Sequence, residues 1–165
     1  TGSAFSTYED KDWIVELEHA IKKAVGVEKP ILGICFGHQL IAQSLGGKVE
    51  KNPKGWELGS YPMVETIKHH LFNEIELDDY FYNSHQDIVT QLPYGSKALA
   101  YNQMGNQAFH YGEWVFGVQF HPEFSYQIMK KYVEVRINMG ADVINPMVKK
   151  SKSSHLIINN FLQIV

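Results

Sequence analysis

The sequence predicts an α/β fold, a three-layer arrangement in which an open, mostly parallel sheet is flanked by helices and carries an antiparallel extension. Two short apolar runs, at residues 31–34 and 115–120, are typical of buried parallel strands, and the first leads straight into a helical pattern. Between them, several strand patterns follow one another without long helices, which indicates antiparallel pairing at one edge of the sheet. With 165 residues, 44% of them hydrophobic, the chain has the size and composition of one domain, residues 1–165.

The first predicted helix covers residues 11–25 and follows an opening Thr-Gly-Ser-Ala loop at residues 1–4. Asp10 is suited to cap its start and Gly26 to end it. One face of this helix is apolar and consists of Trp13, Ile14, Leu17, Ala20, Ile21, Ala24 and Val25. We expect this helix to be scaffold.

The segment from Pro30 to Gly47 is the one around which the chain is organised. A strand over residues 31–34 ends at Cys35, the single cysteine, and a helix over residues 37–45 follows. A side chain at such a join lies at the carboxyl end of the sheet, over the positive end of the helix dipole, and both effects favour a thiolate. Glycine on each side of Cys35 removes Cβ atoms that would obstruct the tight turn. Taken alone, a cysteine in an apolar stretch is more often a small core residue.

A second segment, FGVQFHPEF at residues 116–124, supplies partners for a reactive cysteine. The strand over residues 115–120 ends before Pro122, which cannot donate to a sheet ladder. His121 and Glu123 are two residues apart in an extended segment, so their side chains point the same way. The carboxylate can then hold an imidazole that faces a thiol. His121 by itself is typical of a hydrogen-bonded core histidine, and only the two segments together favour catalysis.

Shorter elements complete the predicted sheet. Strands are expected at residues 48–50, 58–66, 80–83, 98–102 and 107–111, with turns at residues 92–95 and near Gly105. A helix over residues 126–139 follows the second segment, and a last helix over residues 154–164 has a serine at its start. Its apolar face consists of Leu156, Ile157, Phe161, Leu162 and Val165. We expect this last helix to cover the sheet.

Composition and missing motifs limit the partners and cofactors. The net charge of −3 and the absence of a basic cluster, apart from a short run at residues 149–152, argue against a nucleic acid partner. One cysteine excludes an internal disulfide and fits the cytoplasm, and no apolar run approaches the ~20 residues needed to span a membrane. The 8 histidines form no known metal motif, and no phosphate-binding loop is present, so we expect neither a metal nor another cofactor.

Two motifs resemble the signatures of class I (triad) glutamine amidotransferases: Gly33-Ile34-Cys35-Phe36-Gly37-His38-Gln39 and His121-Pro122-Glu123. The resemblance extends from Thr1 to about Phe124 and implies a flavodoxin-like fold. Between the motifs, Ser84-His85-Gln86-Asp87 resembles the family's substrate-side loop. The run NPKGWELG at residues 52–59 is similar to stand-alone GMP-synthase-like amidotransferases and γ-glutamyl peptidases.

The resemblance implies hydrolysis of the γ-amide of glutamine through a Cys-His-Glu triad. The Cys35 thiolate would attack the amide carbon, His121 would protonate the departing ammonia, and Glu123 would orient the imidazole and stabilise its charge. Water would then hydrolyse the γ-glutamyl thioester.

Further site residues follow from the same resemblance. An oxyanion hole would be formed by the backbone N–H of Phe36 and by one from the loop of Gly2 and Ser3. Contacts to the substrate are assigned to Gln39, Ser84 and His85. Without the resemblance, a solvated helix glutamine is an equally good interpretation of Gln39.

Three functions remain open at this point. The protein could be a glutaminase that passes ammonia to a separate synthetase partner in trans, or a stand-alone γ-glutamyl peptidase, hydrolase or transferase that needs no partner. A catalytically silent binding module is the third, against which the intact Cys35, His121 and Glu123 argue. Each of these takes a small molecule, glutamine or a γ-glutamyl compound. Because family members carry further strand and helix units before the glycine loop, we expect additional N-terminal residues with at least one more strand beside residues 31–34.

Overall fold

The computed structural model of the protein describes residues 2–65, 67–76, 79–143 and 146–165. Thr1 of the opening loop and Thr66 of a predicted strand lie outside these residues. The described helices are α1 (Asp12–Gly26), α2 (Phe36–Ser44), α3 (Tyr126–Asn138) and α4 (Leu156–Ile164), with a short 3-10 helix at His70–Phe72. The strands are β1 (Ile31–Ile34), β2 (Lys48–Lys51), β3 (Glu57–Tyr61), β4 (Val64–Glu65), β5 (Phe81–His85), β6 (Asp87–Gln91), β7 (Ser96–Asn102), β8 (Gly105–Tyr111) and β9 (Val115–Val118).

The main sheet has five strands in the order β1-β9-β8-β7-β4. Strands β1 and β9 run parallel, in the register Leu32 with Phe116 and Ile34 with Val118, and the other pairs are antiparallel. Two smaller ladders join β2 with β6 and β3 with β5, both antiparallel. This is the predicted α/β fold with an antiparallel extension, but β1 with β9 is the one parallel pair among the described residues. Short turns explain the antiparallel pairing of β7 with β8 and of β8 with β9, since strands joined in this way can pair only as antiparallel neighbours.

Helices cover both faces of the main sheet. Val115 packs in a core cluster with residues of α1 and α2, including Ile14 and Leu40. Phe116, the next residue, points to the opposite face and packs in a second cluster with Ile157 of α4. The last helix therefore covers the sheet as predicted.

The outer helices bury a narrower stripe than their sequences predict. In α1, Ile14 and Ile21 are buried, whereas Leu17 is exposed and Trp13 packs at the edge against aromatic rings of Phe5 and Phe36. The cap of α1 is Lys11 rather than Asp10 and makes no side-chain bond. In α4, the expected apolar position Leu162 is exposed. Both helices lie on the outside of the sheet, where one side of each remains in water.

Two strand predictions need correction. The strand predicted at residues 58–66 is divided into β3 and β4, because Pro62 lies between them and lacks the N–H that a ladder needs. Strand β6 is absent from the prediction, which places its first residue, Asp87, in a loop; only Gln86 separates it from the end of β5. In the described part of the chain, no helix combines the length and apolarity needed to cross a lipid bilayer.

Candidate active site

Cys35 lies between β1 and α2 in a backbone conformation that side chains rarely adopt. Its φ is 54° and its ψ is −106°, and its N–H donates to the carbonyl of Val118 on β9 at 2.9 Å. Such strained conformations are found mostly at functional sites, where surrounding structure holds them. Gly33 permits the tight turn, because a Cβ there would lie 2.5 Å from the carbonyl oxygen of Gly37 and from Ile41 Cδ1. The close approach of α2 to β1 thus fixes the position of the thiol.

His121 is held beside Cys35 by the end of β9. Its N–H donates to the carbonyl of Tyr82 at 2.7 Å, and its Nδ1 lies 2.7 Å from Glu123 Oε1. Burial lowers the pKa of His121, but hydrogen bonds to Cys35 and Glu123, together with their charges, outweigh burial and raise the pKa to about 9. The imidazole is therefore protonated at neutral pH, with one ring nitrogen toward the carboxylate and the other available to the sulfur.

Two further residues surround the His121 ring. Phe124 stacks on it with ring centroids 4.1 Å apart and planes inclined by 13°. A Cβ at Gly2 would lie 3.2 Å from His121 Cε1, so the opening loop passes directly beside the imidazole. Both contacts restrict rotation of the ring.

A pocket of about 130 Å³ opens beside Cys35. Its lining residues are Ser3, Ala4, Phe5, Ser6, Cys35, Phe36, Gln39, Trp56, Ser84, His85, Gln86, Asp87 and Arg136. Of the residues predicted for the site, it brings together Ser3, Cys35, Phe36, Gln39, Ser84 and His85. Gly2, His121 and Glu123 are outside this lining; Gly2 lies beside the His121 ring, and His121 contacts Glu123. Among the described residues, no three His, Cys, Asp or Glu side chains are grouped so that they could hold a metal ion.

Phe36 and Ser3, both predicted for the oxyanion hole, line the same pocket as Cys35. Phe36 is the first residue of α2, where N–H groups have no acceptor within the helix. The Oγ of Ser3 accepts from the N–H of Phe5 at 3.0 Å, which forms a tight turn in the opening loop. The oxyanion hole formed by Phe36 and the loop of Gly2 and Ser3 stays a prediction.

One of the residues predicted to contact the substrate makes hydrogen bonds within the protein instead. Gln39 is buried, and its Nε2 donates to the carbonyl of Asp87 at 2.8 Å and to Gln119 Oε1 at 3.1 Å. The Ser84 hydroxyl is buried in the pocket wall and has no hydrogen-bond partner among the described residues. This hydroxyl therefore has unused hydrogen-bonding capacity.

His85 belongs to a buried polar network that the sequence did not reveal. Its Nδ1 lies 3.0 Å from the carbonyl oxygen of Asp87 and its Nε2 lies 3.1 Å from Glu57 Oε2. Glu57 is fully buried and also accepts from Asn102 and, at 3.1 Å, from Gln107. The Nδ1 contact orients the His85 ring at the pocket, while Nε2 lies close to Glu57 without making a hydrogen bond to the described residues.

His38, in the first motif, has a different environment from His121. It is completely buried against Gly117 and the ring of Phe109. Burial lowers the pKa of His38 to about 3, against the opposing effect of the Gly117 backbone. His38 is therefore a neutral packing residue between α2 and β9.

Sequence reasoning missed three residues of the pocket region: Trp56, Glu57 and Arg136. Trp56 and Glu57 stand in the run at residues 52–59 that carried part of the family resemblance, so a signal was present for them. Arg136 is the single arginine of the chain, and its rarity was the one available signal.

Comparisons with known proteins place this geometry in context. The family model described as "Glutamine amidotransferase class-I" matches residues 6–137. Gamma-glutamyl peptidase 4 of Arabidopsis thaliana is 33% identical over 160 residues, which covers 93% of this chain and 63% of that protein. The glutamine-hydrolyzing GMP synthase subunit of Methanococcus vannielii is 35% identical over 119 residues, which covers 68% of this chain and 62% of that protein.

A solved structure shows the same fold. The crystal structure of a glutamine amidotransferase from Thermotoga maritima superposes with a TM-score of 0.74 at 28% identity, covering 84% of this chain and 60% of that one. The chain thus spans less than two thirds of the length of each of these three proteins.

Proposed function

Because this chain belongs to the class I glutamine amidotransferase family, as its two motifs predict, we propose that it hydrolyses γ-glutamyl amide bonds with Cys35 as the nucleophile. The observation that supports this most directly is the contact of His121 Nδ1 with Glu123 Oε1 at 2.7 Å, together with a His121 pKa that interactions with Cys35 and Glu123 raise to about 9. A thiol beside a cationic imidazole and a strained turn is the arrangement that nucleophilic cysteine catalysis needs.

In the first half of the reaction, the Cys35 sulfur adds to the γ-carbonyl carbon of the substrate. His121 then gives a proton to the departing nitrogen, the C–N bond breaks, and a γ-glutamyl thioester remains on Cys35. Glu123 keeps Nδ1 of the ring engaged at 2.7 Å, so the other nitrogen faces the reacting atoms. In the second half, His121 accepts a proton from water, the hydroxide attacks the thioester, and glutamate leaves with the thiolate restored.

The oxyanion formed in both halves needs donors that are already in place. We assign this role to the N–H of Phe36 at the start of α2 and to one N–H of the loop of Gly2 and Ser3, which passes beside His121. Loss of a single donor of this kind raises a barrier by about 3 kcal/mol. The Ser84 hydroxyl, which has no hydrogen-bond partner in the part of the chain that the structure describes, is assigned to the substrate.

Two leaving groups are compatible with this chemistry. The similarity to gamma-glutamyl peptidases, which covers 93% of the chain, favours a γ-glutamyl peptide or conjugate as substrate, with an amine as the leaving group. The similarity to the glutamine-hydrolyzing GMP synthase protein, over 68% of the chain, favours glutamine as substrate and a synthetase that receives ammonia in trans. Release of ammonia from glutamine and of glycine from γ-glutamylglycine separates the two. A glutaminase rate that rises only when an extract of the source cells is added would favour the synthetase.

The same assays test the assigned roles. Cys35→Ala and His121→Ala should abolish turnover, whereas Glu123→Gln should lower kcat by about 10²- to 10⁴-fold and leave measurable activity, because the base remains and only its orientation and charge stabilisation weaken. His19→Ala and Glu134→Gln change an exposed histidine and an exposed carboxylate and serve as matched controls. Equal, small losses in the three variants of the site would mean that these residues act only in packing.

A further inference from the structure

The pocket beside Cys35 contains a guanidinium that the hydrolysis scheme does not use. Arg136 lies on α3, is half-buried, and lines the pocket together with Trp56. Its guanidinium carbon is 5.4 Å from the centroid of the Trp56 ring. Within the part of the chain that the structure describes, no carboxylate forms an ion pair with it. A positive charge is thus held near the nucleophile without an anionic partner from the described residues.

Packing of α3 fixes this position. Met129 and Val133 of α3 are buried in a cluster with Leu58 of β3. Arg136 follows Val133 by three residues, so it lies on the same face of the helix, one turn further along. Trp56 precedes Leu58 by two residues, so it stands on the same side of the extended chain. The two side chains meet because the helix and the strand are already packed together.

Stacking leaves the hydrogen-bonding capacity of Arg136 free. A guanidinium carries five N–H donors in its plane, and contact with an aromatic face uses none of them. These donors match the two oxygens of a carboxylate in a bidentate pair. The opposite charge in the pocket lining is Asp87, which also accepts from the Tyr8 hydroxyl at 3.1 Å. A pocket with one guanidinium and one carboxylate is complementary to a ligand that carries both charges.

We propose that Arg136, supported by Trp56, binds a carboxylate of the substrate and thereby selects γ-glutamyl compounds by charge. This inference rests on the proposed function, since it assumes that a γ-glutamyl substrate occupies the pocket. Two carboxylates are chemically equivalent candidates. One is the α-carboxylate of the γ-glutamyl group, present in glutamine and in every γ-glutamyl peptide. The other is the terminal carboxylate of the leaving residue, present only in peptides.

Equilibrium binding to the Cys35→Ala protein tests the proposal without requiring turnover. Calorimetry would compare L-glutamine, γ-glutamylglycine and L-glutamine α-amide, which has no carboxylate, in this background with and without Arg136→Gln. Lys131→Gln removes a neighbouring charge on the same helix outside the pocket and is the matched control. Arg136→Lys keeps the charge and the aliphatic stem, and thermal unfolding of all variants identifies any loss of folding.

Loss of a bidentate charge-assisted pair should weaken binding by about 10- to 100-fold. An equal loss for glutamine and γ-glutamylglycine, with the α-amide unaffected, assigns Arg136 to the α-carboxylate. A loss for γ-glutamylglycine alone assigns it to the leaving residue. Arg136→Lys should bind with intermediate affinity.

The proposal would be overturned by unchanged affinity in Arg136→Gln, by the same loss for all three ligands, or by an equal loss in Lys131→Gln. A Cys35→Ala protein that binds none of the ligands would also overturn it. Absence of hydrolysis by the unmodified protein, in contrast, refutes the proposed function, so failure of the two ideas can be told apart.

Discussion

Deprotonation of His121 should destabilise the folded protein as the pH rises from about 6.5 to about 9. The pKa of His121 is raised to about 9 because hydrogen bonds to Cys35 and Glu123, and their charges, outweigh the effect of burial. A pKa that is higher in the folded state than in the unfolded chain gives a stabilisation that is fully present below about pH 6.5 and lost as the pH rises through the folded value. At about 1.4 kcal/mol per pH unit, the difference corresponds to about 3 kcal/mol.

Urea unfolding at constant ionic strength, at intervals from pH 6 to pH 10, measures this effect. His121→Gln lacks the titrating group, so its difference from the unmodified protein records the titration of His121 together with the groups coupled to it, Cys35 and Glu123. In Glu123→Gln the carboxylate charge that helps to raise the pKa of His121 is absent. The decrease in the free energy of unfolding with rising pH should therefore be smaller and complete at a lower pH. If the unmodified protein and His121→Gln lose stability in parallel over this range, the imidazole is not stabilised as a cation, and the reasoning fails.

Two glycines, one buried carboxylate and the thiol itself offer further tests. Gly33→Ala should lower the free energy of unfolding by about 1–3 kcal/mol, since its Cβ would lie 2.5 Å from a backbone oxygen. A Cβ at Gly26 would meet no atom within 4 Å, so Gly26→Ala should leave the free energy of unfolding equal or higher. Equal effects in chemical denaturation would contradict the packing argument. Asp79→Asn should lower the free energy of unfolding by about 2–3 kcal/mol in the same assay, because the Asp79 carboxylate accepts hydrogen bonds from backbone and hydroxyl donors of residues 151–153. An unchanged unfolding midpoint would contradict a stabilising role of these hydrogen bonds. Cys35 should react with iodoacetamide at pH 7 faster than free cysteine, as followed by mass spectrometry, and His121→Ala should slow it; no difference between the two proteins would refute the pairing.

The parts of the fold that could be predicted from the sequence are those with a local cause. Strands β1 and β9 are continuous apolar runs that end at Cys35 and shortly before Pro122, so their position and type follow from a few neighbouring residues. The division of residues 58–66 at Pro62 also has a local cause, the missing N–H of proline. Exposure of Leu17 could not be derived in the same way, because it depends on how far α1 extends beyond the sheet that it covers.

The residues of the site can be separated in the same way, into those whose positions have a local cause and those that are brought together by packing. This separation matters for substrate specificity. Cys35 and His121 each follow one of two adjacent parallel strands, whose carboxyl ends meet at the same edge of the sheet, so the motifs alone predict that they are close. Trp56 and Arg136 meet for another reason: α3 packs on β3 through Leu58 and its partners, far apart in the sequence. No local pattern specifies that docking. The position of the reactive thiol then depends on the strand ends, and the selection of substrate charge depends on helix packing. Substitutions on the buried face of α3 should therefore change which γ-glutamyl compound is bound. They should leave the reactivity of Cys35 toward a small electrophile unchanged.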